Sequence, residues 1–421
     1  MDKLIIEGGR PLSGEVKISG AKNSALPIMA ATLLTDETCI LRGVPKLRDT
    51  STMIKLLRSL GKNVEVYQDK IVISSKGELS HVADYKLVST MRGSFCVLGP
   101  LLAKLKKAKV SLPGGCIIGV RPVDLHVKGV QALGAKIEIE NGYVVAKARQ
   151  LKGSHVYLGG VFGSSVLATA NVLMAATLAS GKTVIESAAC EPEVEDLANF
   201  LIAMGARVEG QGGPRLTVTG VKKLHGADYE VIPDRIEAGT FILLAVATKS
   251  NVTLKNVQVN HLLSLLDRLE EAGAKWEVSH NQIKVKGDSG HLSPVSVTTY
   301  PYPGFPTDLQ AQFMALMALT PGVSVIADKV YPDRFMHIAE LNRMGANIRR
   351  EGSLAIVQGV KCLYGAPVMA SDLRASAALV IAGLAAKGRT EVHRIYHLER
   401  GYENIDDKLQ KLGARVFREK E

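Results

Sequence analysis

The stretch Leu56-Leu57-Arg58-Ser59-Leu60-Gly61-Lys62-Asn63-Val64-Glu65-Val66 is the first of six versions of one pattern. A helix-like run ends in a small or apolar residue and glycine, then passes into a short strand. The other five are Leu133-Gly134 before Ile137-Glu138-Ile139, Met204-Gly205 before Val208-Glu209, Ala272-Gly273 before Trp276-Glu277-Val278, Met344-Gly345 before Ile348, and Leu412-Gly413 before Val416-Phe417. The glycines lie 73, 71, 68, 72 and 68 residues apart. Each occupies the position where a helix C-cap needs a left-handed residue. A period of roughly 70 is too long for a solenoid repeat and suits one small module used six times.

The modules share a layout. A strand such as Thr183-Val184-Ile185-Glu186 leads through a polar loop to the amphipathic helix, the glycine, two strands and a second, more apolar helix. That second helix is predicted at Ala25–Leu34, Phe95–Ala103, Val166–Ala179, Ala238–Ala247, Leu309–Leu319 and Ala375–Ala386. Being apolar nearly all round, these six belong inside. A chain of 421 residues exceeds one ordinary core. The expected fold is therefore α/β, two domains of three sheet-and-helix modules, each domain pseudo-threefold.

Composition narrows the class. The apolar share of 46% against 22% charged residues marks a globular chain rather than a disordered one. No uninterrupted apolar run approaches the ~18 residues of a membrane helix. Met1–Glu7 reads as a charged strand rather than a leader. The five cysteines, Cys39, Cys96, Cys116, Cys190 and Cys362, form no CxxC pair, so the expectation is free thiols in a reducing cytoplasm. Cys39, Cys96 and Cys362 read as buried small hydrophobes. The net charge of +11 is compatible with nucleic-acid binding or with small anionic substrates. Only Lys104, Lys106, Lys107 and Lys109 cluster tightly, with no aromatic beside them, which disfavours nucleic acid.

The starts of the apolar helices are unexpectedly polar: Lys22-Asn23, Arg92, Ser164-Ser165, Arg235, Thr307-Asp308 and Asp372 with Arg374. Ser, Thr, Asn and Asp serve there as N-caps. Cations oppose the helix dipole, and become understandable where backbone N–H groups and the basic side chain grip one anion together. Four of six copies carry such a cation, which points to phosphorylated or carboxylated substrates.

The loop Pro113-Gly114-Gly115-Cys116-Ile117-Ile118-Gly119-Val120-Arg121-Pro122-Val123-Asp124-Leu125-His126 differs most from its counterparts. A glycine-rich backbone offers little core for Cys116, and Arg121 nearby can stabilise a thiolate. Pro122 fits a first helical position and Asp124 a first-turn carboxylate, while His126 alone reads as a helix-surface residue. Equivalent loops carry Cys190-Glu191-Pro192-Glu193, Val330-Tyr331-Pro332-Asp333-Arg334 and Leu398-Glu399-Arg400-Gly401-Tyr402-Glu403. No metal-ligand spacing, Walker sequence or dinucleotide fingerprint is present.

Together these residues resemble the UDP-N-acetylglucosamine 1-carboxyvinyltransferases of the enolpyruvyl transferase family. The resemblance runs end to end, through Gly20-Ala21-Lys22-Asn23, Pro113-Gly114-Gly115-Cys116, Arg121 to His126, Glu191-Pro192-Glu193 and Pro233-Asp234-Arg235-Ile236-Glu237. It continues through Phe305-Pro306-Thr307-Asp308, Asp372-Leu373-Arg374-Ala375-Ser376 and Arg400-Gly401-Tyr402-Glu403. It implies two inside-out α/β barrels: an N-terminal domain of residues 22–231 carrying Cys116, and a C-terminal domain of residues 1–21 with 232–421 carrying Asp308 and Arg400. It implies transfer of the enolpyruvyl group of phosphoenolpyruvate to the 3′-hydroxyl of UDP-N-acetylglucosamine, with no metal or organic cofactor. Lys22, Arg121 and Arg400 would bind phosphoenolpyruvate. Cys116 would protonate the methylene carbon and form a covalent adduct, and Asp308 would be the base. Asn23, Arg92, Asp124, Leu125, Ser165, Val166 and Val330 would contact the UDP-sugar. Pro122, Val123, Gly163, Ser164, Arg235 and Arg334 would also line the substrate sites, supported by Asp372 and Arg374.

Two positions depart from the family pattern. The stretch Gly163-Ser164-Ser165-Val166 lacks the Lys that many relatives carry before the Ser-Val pair, and Cys190 stands where relatives often carry Arg. The rival readings are a 5-enolpyruvylshikimate-3-phosphate synthase-like transferase and a non-enzymatic basic repeat protein binding DNA.

Overall fold

A computed structural model of the chain describes residues 2–114, 123–288 and 290–420. These form two compact units, one of residues 2–19 and 233–420, the other of 20–114 and 123–232. Each unit has its own apolar core.

Six four-stranded sheets carry the repeat. In one, Cys39–Arg42 pairs antiparallel with Lys70–Ser75, which pairs with Lys62–Val66. The other edge is Asp228–Glu230, running parallel to Cys39–Arg42. Residues that close the third module of this unit thus complete the sheet of its first. The other unit closes similarly. Ser13–Lys17 adds parallel to Asn251–Lys255, and Asp2–Glu7 lies between Arg389–His393 and Arg415–Lys420. The sixth module therefore takes one strand from the other end of the sequence, which its local pattern does not reveal.

Each sheet turns one face to solvent. In Gln282–Lys286 only Ile283 and Val285 are fully buried, the alternation expected of a half-covered strand. The opposite faces cover the apolar helices. In one unit, Arg235–Ala247, Gln310–Met317 and Leu373–Ala385 pack against one another, and in the last every residue from Arg374 to Leu384 is buried. In the other, Lys22–Ala31, Leu98–Leu105 and Val166–Ala176 take the same places. Helices inside and sheets outside, three of each per unit, make an inside-out α/β barrel. No helix among the described residues is long and apolar enough to cross a membrane.

The amphipathic helices fill the gaps between sheets and core. They span Arg48–Ser59, Asp124–Ala132, Pro192–Ala203, Leu263–Glu271, His337–Arg343 and Ile405–Lys411. All six repeat glycines follow them in the left-handed region, with φ from +89° to +100°. At Gly413 (φ +90°) an added Cβ would meet nothing within 4 Å, whereas at Gly61 (φ +100°) it would lie 2.7 Å from the Glu78 carbonyl oxygen. Gly413→Ala should cost about 1 kcal/mol from backbone strain alone. Gly61→Ala should cost more, because backbone must also move. Denaturant midpoints for the two variants test this, and the reverse order would refute the steric account.

Candidate functional site

In the unit spanning residues 20–232, the helix Lys22–Ala31 starts where the chain is tightly constrained. An added Cβ on Gly20 would lie 1.8 Å from the Gly43 carbonyl oxygen, so only glycine fits. Ala21 N donates to the Ile232 carbonyl at 2.7 Å. Lys22, 7% exposed, reaches Asp49 Oδ2 at 3.1 Å, and Asp49 lies in the first turn of Arg48–Ser59. The next turn is held by Asp196: Ser24 Oγ donates to Oδ2, Tyr229 Oη donates to Oδ1 at 2.6 Å, and Ile232 N donates to Oδ2 at 3.3 Å. Burial pushes the Asp196 carboxyl above its ordinary range, opposed by those hydrogen bonds. Asn23 is half-buried between two anchored neighbours.

A second group in this unit gathers around His126. Asp124 is exposed in the first turn of its helix, Leu125 is half-buried and His126 is 3% exposed. The sequence suggested a surface His126; the structure corrects this. Its ring packs edge-on against Phe95 at 5.0 Å, and Nδ1 lies 2.8 Å from Asn171 Nδ2. Asn171 also donates from Nδ2 to the Phe95 carbonyl and accepts the Gly99 N–H at Oδ1. That fixes the amide orientation. Nδ1 is therefore the acceptor and Nε2 carries the proton. Burial, aided by the Arg92 charge, pushes the imidazole down to about 3.

Leu125 lies beside a short hairpin, because an added Cβ on Gly160 would come within 3.1 Å of its Cδ1. In that hairpin Gly159–Gly160 pairs with Gly163–Ser164, and Gly163 has φ +91°. Ser165 follows as N-cap of Val166–Ala176, its Oγ accepting from Ala168 N at 3.3 Å. Leu125, Gly163, Ser164, Ser165 and Val166 thus belong to one region, with Val123 at its edge. Cys116, Arg121 and Pro122 lie outside the described residues.

In the other unit the predicted residues form a buried charge cluster. Arg334 Nη1 donates to Asp308 Oδ1 at 2.7 Å and Arg374 Nη2 to Asp308 Oδ2 at 3.3 Å. Arg334 Nη2 also lies 3.6 Å from Asp372 Oδ1. The guanidiniums are 2% and 1% exposed and Asp372 is 5% exposed, while the Asp308 side chain keeps 26%. Asp372 additionally caps Leu373–Ala385, accepting from Arg374 N at 2.7 Å and Ala375 N at 3.1 Å. Burial pulls the Asp372 carboxyl up, but Arg334 and the two N–H groups outweigh it and hold it below its ordinary range. Burial also opposes both arginine charges, yet Asp308 and Asp372 more than restore that of Arg334, and Tyr402, followed by Asp308 and Asp234, that of Arg374. His337 nearby is held neutral, near 4, chiefly by burial.

Val330 is set by a residue the sequence reading missed. Asp328, fully buried, accepts from Val330 N at 3.0 Å, Tyr331 N at 2.7 Å and the hydroxyls of Thr299 and Thr307 at 2.7 Å each. Arg235, first in its helix, lies over the Tyr302 ring at 5.5 Å. Arg400 ends the turn Ile395–Arg400.

The cations at helix starts were read as grips for a ligand anion. Lys22 and Arg374 each also meet a carboxylate of the protein itself, Asp49 and Asp308. Asp49 and Asp196 were missed because their side-chain partners lie far away in sequence, and Asp328 because its threonine partners do, although it also accepts from the nearby Val330 and Tyr331 N–H groups. Burial raises the thiols of Cys39 and Cys190, and that of Cys96 to about 12, so none of the three is thiolate-prone. Cys362, expected to be buried, is only half-buried.

A family model described as EPSP synthase (3-phosphoshikimate 1-carboxyvinyltransferase) matches residues 6–409. The UDP-N-acetylglucosamine 1-carboxyvinyltransferase of Methylacidiphilum infernorum is 52% identical over 419 residues, 99% of each chain. The UDP-N-acetylglucosamine 1-carboxyvinyltransferase 2 of Carboxydothermus hydrogenoformans is 53% identical over 420 residues, again 99% of each. Among solved structures, the enolpyruvyl transferase NikO from Streptomyces tendae has a TM-score of 0.90 at 24% identity, covering 99% of this chain and 98% of that one. An EPSP synthase from Acinetobacter baumannii has 0.76 at 19% identity, covering 100% of both. At these identities the two structures speak to the fold alone.

The His126 ring should stay neutral, with its proton on Nε2, down to about pH 5, where an exposed histidine is mostly charged. Long-range ¹H–¹⁵N correlation on histidine-labelled protein reads this directly. Because the folded value lies below the unfolded one, this residue's stabilising effect is complete above about pH 6.5 and shrinks as pH falls toward 3. An imidazolium signal for His126 at pH 6 would refute the assignment.

Proposed function

The chain belongs to the UDP-N-acetylglucosamine 1-carboxyvinyltransferases, and we propose that the residues described above divide the chemistry of that reaction among themselves. The enzyme transfers the enolpyruvyl group of phosphoenolpyruvate to the 3′-hydroxyl of UDP-N-acetylglucosamine and releases phosphate, the first committed step of peptidoglycan synthesis. Its substrates are small anions, and we place its work in the cytoplasm.

The hydroxyl oxygen adds to C2 of phosphoenolpyruvate while C3 gains a proton. Phosphate then leaves from C2 as C3 loses a proton and the double bond re-forms. In our reading Cys116 supplies the proton to C3. Lys22, Arg121 and Arg400 bind the phosphate and carboxylate and neutralise the departing charge. Asn23, Arg92, Asp124, Leu125, Ser165, Val166 and Val330 hold the UDP-sugar.

Asp308 takes the hydroxyl proton. The observation that supports this assignment is the grip of Arg334 and Arg374 on its two oxygens, which favours the carboxylate form while part of the side chain stays exposed. So held, it is a weak base. A weak base suffices when protonation of C3 makes C2 electron-poor, because the attacking hydroxyl turns acidic only as its bond to carbon forms. Such assistance is worth about 10²–10⁴-fold.

Phosphate release should require phosphoenolpyruvate and UDP-N-acetylglucosamine together. Equal release with shikimate-3-phosphate in place of the UDP-sugar would move the chain to the rival synthase activity. Fosfomycin, an epoxide resembling phosphoenolpyruvate, should add its mass to Cys116. Cys116→Asp retains an acid but no sulfur nucleophile, so it should stay active and lose drug sensitivity. Peptide mapping that located the adduct on Cys190 or Cys39 would overturn the assignment of the acid.

A further inference from the structure

The charge cluster around Asp308 rests on a second, uncharged network that ties together all three modules of its unit. Tyr402 comes two residues after Arg400 and is 3% exposed. Its phenol oxygen lies 2.9 Å from Thr240 Oγ1 on Arg235–Ala247 and 3.2 Å from Gln312 Nε2 on Gln310–Met317. Gln312 Nε2 also donates to the Asp308 main-chain oxygen at 2.9 Å and lies 3.1 Å from Thr240 Oγ1.

The direction of these bonds follows from donor bookkeeping. Thr240 Oγ1 donates its hydrogen to the Ile236 carbonyl at 2.8 Å, so it must accept from Tyr402. Burial, only partly opposed by Arg374, raises the phenol above its ordinary range, so it keeps the hydrogen that it donates. Tyr402 in turn accepts from Gln312. The amide nitrogen must face Asp308, because a carbonyl oxygen there can only accept. One hydrogen-bonded path therefore runs from the Asp308 backbone through Gln312 and Tyr402 to Thr240.

The third module enters by packing. The Arg374 guanidinium lies over the Tyr402 ring at 5.4 Å. Between Arg400 and Tyr402, an added Cβ on Gly401 would lie 2.6 Å from Leu373 Cδ1 and 3.4 Å from Arg374 Nη1. The turn that carries Arg400 thus lies directly against the arginine that grips Asp308.

We propose that Tyr402 is a positioning residue whose hydroxyl, through Gln312, holds the backbone of Asp308 in register with Arg400. This rests on the roles given above to Asp308 and Arg400. The hydroxyl touches neither side chain's reactive end; it sets the spacing between the elements that bear them. Loss of the oxygen leaves Gln312 Nε2, among the described residues, with Thr240 Oγ1 as its one acceptor besides Asp308, which draws the amide toward Thr240 and loosens its register with Asp308.

The test is steady-state kinetics on full-length Tyr402→Phe, which retains the ring and its stacking on Arg374. We expect kcat to fall about tenfold, on the order of one buried hydrogen bond, and the KM for phosphoenolpyruvate to rise several-fold. The KM for UDP-N-acetylglucosamine should stay within about twofold. Gln312→Leu should act similarly, and the double variant should cost no more than the larger single loss, since both break one path. Wild-type protein without phosphate release would refute the underlying reaction. With an active wild type, three results would overturn the positioning role: unchanged kcat and KM alongside a lowered melting temperature, equal rises in both KM values, or fully additive losses in the double variant. If Tyr402→Phe fails to fold, Gln312→Leu alone carries the same kinetic expectation.

Discussion

Two guanidinium groups removed almost wholly from water are the costliest feature of the unit that holds them. Desolvating such an ion costs several kcal/mol, and only a well-placed counter-charge recovers it. Arg334 and Arg374 meet Asp308, and Arg334 also faces Asp372, so each buried cation has a carboxylate within ion-pair reach. Much else follows from that balance. Asp372 must sit where it can serve both Arg334 and the backbone N–H groups that start Leu373–Ala385, which fixes how that helix enters the core. Removing either carboxylate would strand a buried cation, at a cost of ~3–5 kcal/mol. The side chains that grip Asp308 are therefore structural, and deleting any one of them would disturb the whole cluster.

The other unit solves the equivalent problem differently. Its helix start at Lys22 uses one buried ion pair with Asp49, and its second anchor, Asp196, is satisfied by a serine, a tyrosine and a backbone N–H rather than by arginine. Repeated backbone and unrepeated side chains are what a reused module should show. The left-handed glycines, the sheet order and the buried helices recur because they carry the fold. The polar residues at the helix starts vary because each meets different neighbours.

That division explains what could be read from sequence. The six glycines and the apolar helices are local signals, so the repeat, the module count and the helices-inside arrangement were all accessible. Strands Val82–Ala83, His155–Tyr157 and Pro367–Met369 are too short to carry a pattern and exist because a neighbour supplies the hydrogen bonds. The parallel pairing of Asp228–Glu230 with Cys39–Arg42 joins segments far apart in the chain, which no periodicity encodes. The same limit applies at the site. A lysine or arginine at a helix start signals a nearby anion, but not whether that anion is a ligand or an aspartate. For Lys22 it is Asp49 and for Arg374 it is Asp308. His126 was misjudged for a related reason. Its burial depends on Phe95 and Asn171, which come from two other helical segments.

An internal counter-ion reduces the field of a buried cation without abolishing it. In either unit, a buried lysine or arginine without a counter-ion would bear its full desolvation cost. Pairing Lys22 with Asp49, and Arg374 with Asp308, lowers the resting potential while leaving polar N–H groups that can reorient toward added charge. A carboxylate shared with two guanidiniums has a further consequence. When Asp308 accepts a proton, it weakens its hold on both arginines at once. With Asp372 still facing Arg334, a proton placed on Asp308 would leave the cluster one positive charge in excess, and that excess raises its attraction for an anion.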